Sequence, residues 1–282
     1  MNKTAQFSQD CKDQKEQKVE LPATQMTIEE ELTKRMPELI SNDRFMLVVQ
    51  PVVDLKTNEI VGGEVLSRLN HPEQGMIFPN KFIPAIEEAG LISEFDYYIF
   101  GKACDLVSRI TNQGINIQYL SCNFSRKTLS EKGITTRLSR IAENYRVMPD
   151  HLAVEIMEQE PETNTEQFYR NLQELKDAGF RIFVDDMGAG VTSDKDLWSY
   201  PVDVVKIDRS MLLAAETEQG RVAYQGLQNL AAGLGYKSLG EGVETEDQRQ
   251  FVQNVGCHYC QGFLFFRPME EQQFVQLMRD RS

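Results

Sequence analysis

The chain has 282 residues, of which 41% are hydrophobic, and a formal net charge of −13. This length and composition suit one large α/β domain or two small ones. The negative charge argues against a general DNA-binding or anionic-membrane-binding protein, because both need a basic surface. No apolar run reaches membrane-spanning length and no apolar signal core opens the chain, which predicts a cytoplasmic protein.

The N-terminal region is predicted to contain a tail followed by a helix. Residues 1–25 are polar, charged and without hydrophobic periodicity, which predicts a flexible tail, with residues 26–282 as a single domain. Thr27 and Glu30 form a capping-box pattern that predicts a helix start. Pro37 predicts a bend or a restart in that helix.

Further along, apolar strand-like runs alternate with helical segments. The predicted strands are 45–55, 60–69, 116–125, 152–158, 181–187, 202–208, 238–243 and 261–266. Between them lie amphipathic stretches such as 165–179, where Phe168, Leu172 and Leu175 have helical spacing and Gly179 is a stop signal. Eight alternations in this length predict an α/β fold, a (β/α)8 TIM-like barrel. The alternative, a doubly wound sheet, lacks the expected G-x-G-x-x-G after the first strand.

Polar residues recur near the C-terminal halves of these strands. They are Glu64, Arg68, Asn123, Glu155, Glu158, Asp185, Asp186, Lys206, Asp208, Glu241, Glu244 and Gln261. In a (β/α) barrel these positions converge on one face. So many acids would repel each other unless cations meet them, which favours Mg²⁺ or Mn²⁺ with oxygen ligands. The adjacent Asp185 and Asp186 suit a bridge between two metals, an arrangement that hydrolyses phosphodiesters.

Two features have less specific interpretations. Lys206 could orient the attacking water or act as its base, and a structural ion pair with a neighbouring acid is the alternative. Cys257 and Cys260 form a C-x-x-C, but no second pair exists and the chain has 3 histidines. Reduced thiols beside a strand are therefore favoured over a zinc or redox site.

Nine ordered stretches resemble the EAL-domain phosphodiesterases, which hydrolyse cyclic di-GMP in bacteria. They are residues 48–55, 62–72, 78–92, 122–125, 154–160, 184–190, 201–208, 240–245 and 256–268. The resemblance implies a barrel with one antiparallel strand and a two-metal site for Mg²⁺ or Mn²⁺ that Ca²⁺ inhibits. It also implies the product linear pGpG, a lowered level of the messenger that controls motility and biofilm behaviour, and a homodimer with a possible regulatory protein partner.

The resemblance also implies roles for individual residues. The implied metal ligands are Glu64, Asn123, Glu155, Asp185 and Asp186. The implied catalytic residues are Lys206, Glu241 and Glu158, the last steadying the loop after the aspartate pair. The implied substrate-binding residues are Gln50, Leu66, Arg68 and Gln261, where Arg68 suits a phosphate and Gln261 also supports the metal-bound network.

The chain departs from the family pattern at three places. Val65 replaces the alanine of the Glu-Ala-Leu signature, Leu69 replaces the usual tryptophan, and residues 187–194 lose the aromatic side chains at Met187 and Val191. In the family this loop couples the metal site to the dimer interface, so the resemblance implies that its alteration affects dimer-coupled activation more than the metal site. Two alternatives follow: a catalytically weak or inactive module that binds cyclic di-GMP or a protein, and hydrolysis of another phosphodiester.

The sequence also contains a superficial match to cyclic di-GMP synthases. Gly62, Gly63 and Glu64 resemble the start of the GGDEF or GGEEF signature. Val65 and Leu66 follow instead of an acid and a phenylalanine, so a cyclase is not expected.

Overall fold

The computed structural model describes residues 28–71, 74–157, 165–189 and 200–281. In these ranges the helices are Ile28–Ser41 (α1), Pro79–Glu88 (α2), Ile92–Thr111 (α3), Arg126–Leu129 (α4), Ile134–Asn144 (α5), Thr165–Asp177 (α6), Arg209–Ala214 (α7), Glu218–Gly233 (α8), Glu246–Asn254 (α9) and Glu271–Asp280 (α10). The strands are Phe45–Asp54 (β1), Ile60–His71 (β2), Gly75–Ile77 (β3), Tyr119–Phe124 (β4), Leu152–Met157 (β5), Arg181–Met187 (β6), Val204–Ile207 (β7), Lys237–Gly240 (β8), Tyr259–Cys260 (β9) and Met269–Glu270 (β10).

Eight of these strands form a closed barrel. Pairing runs from β1 through β9, β8, β7, β6, β5 and β4 to β2, and β1 also pairs with β2, which closes the ring. β1 is antiparallel to both of its barrel neighbours, whereas the pairings from β2 to β9 through the other strands are parallel. The short strands β3 and β10 extend β2 and β1. The predicted (β/α)8 TIM-like barrel with one antiparallel strand is confirmed.

Helices cover the barrel through their apolar faces, as the sequence periodicity predicts. In α6, Phe168, Leu172 and Leu175 are at most 2% exposed and belong to the main core. Gly179 follows with φ +97°, a conformation that glycine adopts without strain and that ends the helix. These helices pack against the outside of the barrel and so hold the carboxyl ends of the strands together.

The barrel interior has two layers with different chemistry. An apolar cluster, here called the lower layer, fills the end where the parallel strands begin: Val52, Val61, Tyr119, Ala153, Phe183, Val204, Leu239 and Tyr259. Two residues further along five strands, the same face carries Glu155, Asp185, Lys206, Glu241 and Gln261. This second layer, called the mouth, is polar and lies at the carboxyl ends of the parallel strands.

Some predicted boundaries were wrong. The eighth barrel strand is Tyr259–Cys260 instead of 261–266, because the chain turns at Gly262, where any Cβ would clash with the Val243 backbone. α1 continues through Pro37, so the helix does not restart there, and the alternative of a bend stays a prediction. The predictions for residues 1–25, Thr27, Glu158 and residues 190–194 concern positions outside the described residues.

Two further sequence expectations can be compared with the structure. Cys104, Cys122, Cys257 and Cys260 are all buried and free, and burial raises the pKa of the Cys260 thiol to about 12. This agrees with the interpretation of the C-x-x-C as reduced thiols. Among the described residues, no helix combines the length and hydropathy that crossing a membrane requires.

Candidate metal centre

Lys206 lies at the centre of the mouth, surrounded by acids from four other strands or strand ends. Its Nζ lies 2.5 Å from Glu155 Oε1, 2.9 Å from Glu241 Oε1, 3.1 Å from Asp185 Oδ2 and 3.2 Å from Glu64 Oε2. The lysine is 1% exposed. Barrel closure therefore brings together the acids that the sequence analysis took from separate strand ends.

Asp185 and Asp186 approach the same site because the strand is irregular there. The pairing of β6 with β7 shifts between Val184 and Met187, and Asp186 has φ +60°. In a regular strand, adjacent side chains point to opposite faces. The irregularity and the left-handed backbone, which aspartate tolerates better than most residues, turn both carboxylates toward the mouth. Asp186 N also donates to Asp185 Oδ1 over 2.8 Å.

The backbone after this pair depends on glycine. Gly188 has φ +92°, and a Cβ there would lie 2.7 Å from Leu227 Cδ1 and Met211 Cγ. The altered residue Met187 is 1% exposed and packs in the core. This departure from the family pattern therefore replaces an aromatic side chain by a buried aliphatic one.

The acids of the mouth form two groups that could each hold a metal ion. Glu64, Glu155 and Asp185 form one group, and Asp185, Asp186 and Glu241 form the other. In each group one oxygen per residue lies within 4.8 Å of the others. Asp185 belongs to both groups, so it stands where a bridging carboxylate would be needed.

Three amide side chains extend the acid cluster. Asn123 Nδ2 donates to Glu64 Oε1 over 3.3 Å, which leaves the amide oxygen as the atom that could ligate a cation. Gln261 Nε2 donates to Glu64 Oε2 over 2.9 Å and to Gln50 Oε1 over 3.0 Å. Gln50 Nε2 in turn donates to the Phe266 carbonyl over 3.3 Å. Asn123 and Gln261 therefore fix the orientation of Glu64, and Gln50 in turn holds Gln261.

The surrounding acids keep Lys206 in its charged form. Burial alone would lower the pKa of Lys206, but attraction from the carboxylates, led by Asp185, outweighs burial and raises that pKa well above its ordinary value. Burial likewise acts to raise the pKa of Asp185, but Lys206 and several hydrogen bonds overcome it and lower the pKa. In this arrangement Lys206 is an ammonium group that donates hydrogen bonds and cannot accept a proton.

One lysine does not neutralise the acids of the mouth. Burial raises the pKa of Glu155 well above its ordinary value and that of Glu241 to about 8. Burial, with repulsion from Asp185 and Asp208, raises the pKa of Asp186 to about 6. Part of the negative charge is therefore relieved by protonation, and additional cations would be favourable here.

The atoms of the mouth fit hard divalent cations. Every member of the two groups is a carboxylate, and Asn123 adds an amide oxygen, which are the ligands that Mg²⁺ and Mn²⁺ prefer. Glu155 Oε2 and Gln261 Oε1 are buried and meet no hydrogen-bond donor within the part of the chain that the structure describes. Buried oxygens of this kind need a partner, and a metal ion would supply one.

The implied substrate residues on β2 lie along one face of that strand. Glu64, Leu66 and Arg68 alternate with residues that face the core, and Leu69 is fully buried there. The departure at Leu69 is thus located in the core and not in the mouth.

Arg68 Nη1 donates to the Ser67 carbonyl over 2.7 Å, and its Cζ lies 4.8 Å from the centroid of the Phe78 ring. Phe78 is absent from the predicted site residues, and the register of the β2–β3 pair places it beside Arg68.

Two of the strand-end acids, Asp208 and Glu244, have partners outside the cluster. Asp208 caps α7 by accepting from Ser210 N over 2.9 Å. Glu244 forms an exposed ion pair of 2.7 Å with Arg209. Glu158 lies outside the described residues, so its predicted role stays a prediction. All five predicted metal ligands converge in the mouth together with Lys206, Glu241, Gln50 and Gln261: they are Glu64, Asn123, Glu155, Asp185 and Asp186.

The fold and the mouth define the class of protein: a TIM-like (β/α) barrel with an oxygen-rich candidate site for divalent cations. Comparison with protein families then gives the family. The profile of the EAL domain matches residues 33–268, so the chain belongs to the EAL domain family.

Individual relatives agree with this membership. The chain is 30% identical over 251 residues to the oxygen sensor protein DosP of Escherichia coli (strain K12), covering 88% of this chain and 31% of DosP. It is 29% identical over 237 residues to the cyclic di-GMP phosphodiesterase RocR of Pseudomonas aeruginosa, covering 84% of this chain and 60% of RocR. The chain thus spans only part of the length of these relatives.

A solved structure is similar along most of its length. The PaMucR phosphodiesterase in complex with c-di-GMP superposes with a TM-score of 0.80 and 28% identity. The match covers 86% of this chain and 99% of the PaMucR chain.

Proposed function

We propose that the chain hydrolyses cyclic di-GMP to linear pGpG with two divalent cations, Mg²⁺ or Mn²⁺. The observation that carries the proposal is the pair of carboxylate groups that share Asp185. Membership of the EAL domain family and similarity to RocR, which is named a cyclic di-GMP phosphodiesterase, support this substrate. The similarity to PaMucR in complex with c-di-GMP supports it as well.

We assign the two cations to the two groups of oxygens. Glu64, Asn123, Glu155 and Asp185 would hold one ion, and Asp185, Asp186 and Glu241 would hold the other. When bound, such ions supply Lewis acidity toward the phosphodiester and lower the pKa of the attacking water. Asp185 would hold the two ions at a fixed separation, because its carboxylate is fixed by Asp186 N and by Lys206 Nζ.

Lys206 would orient groups in the mouth instead of removing a proton. It is charged in this arrangement and its Nζ contacts acids of both groups. An ammonium donates N–H groups and would orient the lone pairs of a water that approaches the phosphorus. The proton that the attacking water loses would pass to a carboxylate of the mouth or to solvent.

Substrate binding would involve the rim of the mouth. Arg68 presents N–H groups that can bind a phosphate in bidentate fashion, and Leu66 offers an apolar contact on the same strand face. Gln261 would hold Glu64, Gln50 would hold Gln261, and both would present amide groups to the sugar or phosphate. We also propose that Glu158 steadies the loop that follows the aspartate pair.

The experiment is a turnover assay with purified protein and cyclic di-GMP, with pGpG measured by chromatography. We expect turnover with Mg²⁺ or Mn²⁺, none with a chelator, and inhibition by Ca²⁺, because Ca²⁺ takes more ligands at longer distances. Asp185→Asn should lower kcat by at least about 100-fold, since even groups that only support metal ligands contribute 10–100-fold. Asp177→Asn, a matched change on the exposed face of α6, should leave turnover unchanged.

The same samples test the competing function, a catalytically inactive module that binds cyclic di-GMP or a protein. Folded wild-type protein that binds the dinucleotide but leaves it intact with both metals would contradict hydrolysis and favour this module. Size-exclusion chromatography of the samples tests the homodimer that we propose from the family resemblance.

A further inference from the structure

Phe78 occupies a position where its side chain is locally unfavourable. It is the residue before α2, with extended backbone (φ −90°, ψ 158°), and its side chain makes no capping hydrogen bond. Serine, threonine, aspartate and asparagine are favoured at this position by about 1 kcal/mol, because they accept from the first backbone N–H groups of the helix. The phenyl ring is 55% exposed, so burial does not offset the missing cap.

The strand register places Phe78 on the mouth side of the sheet. β2 and β3 pair in antiparallel fashion with Leu69 opposite Ile77 and Asn70 opposite Met76. Continued by one residue, this register puts Phe78 opposite Arg68. Residues directly opposite each other share a face of the sheet, and Arg68 shares its face with Glu64 four residues earlier. Phe78 therefore lies on the face that leads to the candidate metal centre.

Contacts of Arg68 agree with this placement. Its Cζ lies 4.8 Å from the Phe78 ring centroid, within the range of a cation–π interaction. Its Nη1 donates to the Ser67 carbonyl, so the guanidinium is held from two sides and retains further N–H donors for a phosphate. The base and the phosphate of one nucleotide are separated by a single sugar, so a base can reach Phe78 while its phosphate meets Arg68.

We propose that Phe78 is a substrate-contacting residue whose exposed ring stacks on a purine base of the cyclic dinucleotide while Arg68 binds a phosphate of the same ligand. The inference rests on the proposed function and adds a specificity determinant to it. Stacking of a base on an aromatic side chain contributes about 1–3 kcal/mol and needs only the face of the ring. Base stacking would therefore explain why an exposed phenylalanine, which does not cap the helix, lies beside Arg68.

The test compares four variants of the full chain in the turnover assay. Phe78→Leu and Phe78→Ser should raise KM for cyclic di-GMP by about 10-fold, the equivalent of 1.4 kcal/mol, with kcat within about 2-fold of wild type. Phe78→Tyr should keep KM near the wild-type value because it retains the ring. Tyr145→Leu, at an exposed aromatic residue just after α5, is the control and should not change KM.

Two further readouts separate stacking from a structural effect. Phe78→Ser restores a helix cap and should raise Tm while it weakens substrate binding, whereas a purely structural residue would move both in the same direction. The slope of log KM against log salt should stay unchanged in Phe78→Leu, because the phosphate contact is retained. An unchanged KM in Phe78→Leu, or a lost salt slope, would overturn the proposal.

Failure of the stacking proposal can be distinguished from failure of the proposed hydrolytic function. If wild-type protein does not turn over the dinucleotide, the hydrolytic function fails, and calorimetric Kd values of the same variants decide the stacking proposal. Wild-type protein that neither binds nor hydrolyses cyclic di-GMP would overturn both. A Phe78→Leu variant that keeps its affinity for the dinucleotide but loses self-association would assign the ring to a contact between copies of the chain.

Discussion

The lower layer and the mouth are built by the same strands, yet one is apolar and the other is polar and charged. Phe183, Val204 and Leu239 belong to the apolar lower layer, and two residues further along their strands lie Asp185, Lys206 and Glu241. The lower layer is closed by ring contacts such as that of Tyr119 with Phe183, whose centroids lie 4.9 Å apart. In the mouth, four carboxylates contact one ammonium group, and the carboxylate of Asp186 lies beside them.

The difference shows how one barrel can place its stabilising packing in one layer and its polar candidate site in the next. A step of two residues keeps a side chain on the interior face and moves it about 7 Å along the strand. The lower layer gains free energy from burial and packing. The mouth contains acids whose pKa values are raised, so protonation or bound cations would relieve its negative charge. Substitutions in the two layers should consequently change different measurements.

The largest expected effect on stability is in the lower layer. Phe183→Ala removes a ring that is 1% exposed and should lower the free energy of unfolding by about 3–5 kcal/mol. Urea denaturation measures this loss, and kcat of the protein that stays folded should remain within about 2-fold of wild type. Phe183→Leu, which leaves a smaller cavity, is the milder control. A loss below about 1 kcal/mol would contradict the packing role.

Lys206→Met tests whether the mouth depends on positive charge. Removing one partner of a buried ion pair typically lowers stability by about 3–5 kcal/mol, because the remaining charges are left uncompensated. We expect such a loss in urea denaturation with a chelator present, and a partial recovery when Mn²⁺ is added. Equal stability of variant and wild type in chelator would mean that the lysine does not hold the acids.

The smallest effect is a pH dependence of stability without metal. The pKa of Asp186 is about 6 and that of Glu241 about 8, above the ordinary values of 3.8 and 4.5. Between roughly pH 4 and pH 8 the folded protein then binds more protons than the unfolded chain, so stability falls as pH rises. Solvent screening limits the Asp186 contribution to about 1–2 kcal/mol. Thermal unfolding in chelator checks this, and Asp186→Asn should flatten the profile.

The sequence predicted the barrel and most of the mouth because both depend on local patterns. The strand 181–187 matches β6 at both ends, since an apolar run stops at two acids and a glycine. The strand-end acids could be identified because parallel strands in a barrel bring their carboxyl ends together. The apolar run 261–266 misled the prediction of the eighth strand, because its hydrophobic side chains pack outside the barrel after the turn at Gly262.

Other parts of the site depend on closure of the barrel and could not be predicted. The four ion pairs of Lys206 join residues from β2, β5, β6 and the end of β8, and no local pattern specifies that geometry. The left-handed backbone of Asp186 arises from a register shift between two strands. The position of Phe78 beside Arg68 depends on pairing with the short strand β3, which the sequence did not reveal.

The most direct test of a two-metal mouth is to count the bound ions. Calorimetric titration of metal-free protein with Mn²⁺, without the dinucleotide, gives the number of ions per chain. The two groups that share Asp185 predict two ions for wild type and one for Asp186→Asn, which keeps Glu64, Glu155 and Asp185 intact. Wild-type protein that binds no Mn²⁺, or an Asp186→Asn variant that still binds two ions, would contradict a metal centre built on the shared aspartate.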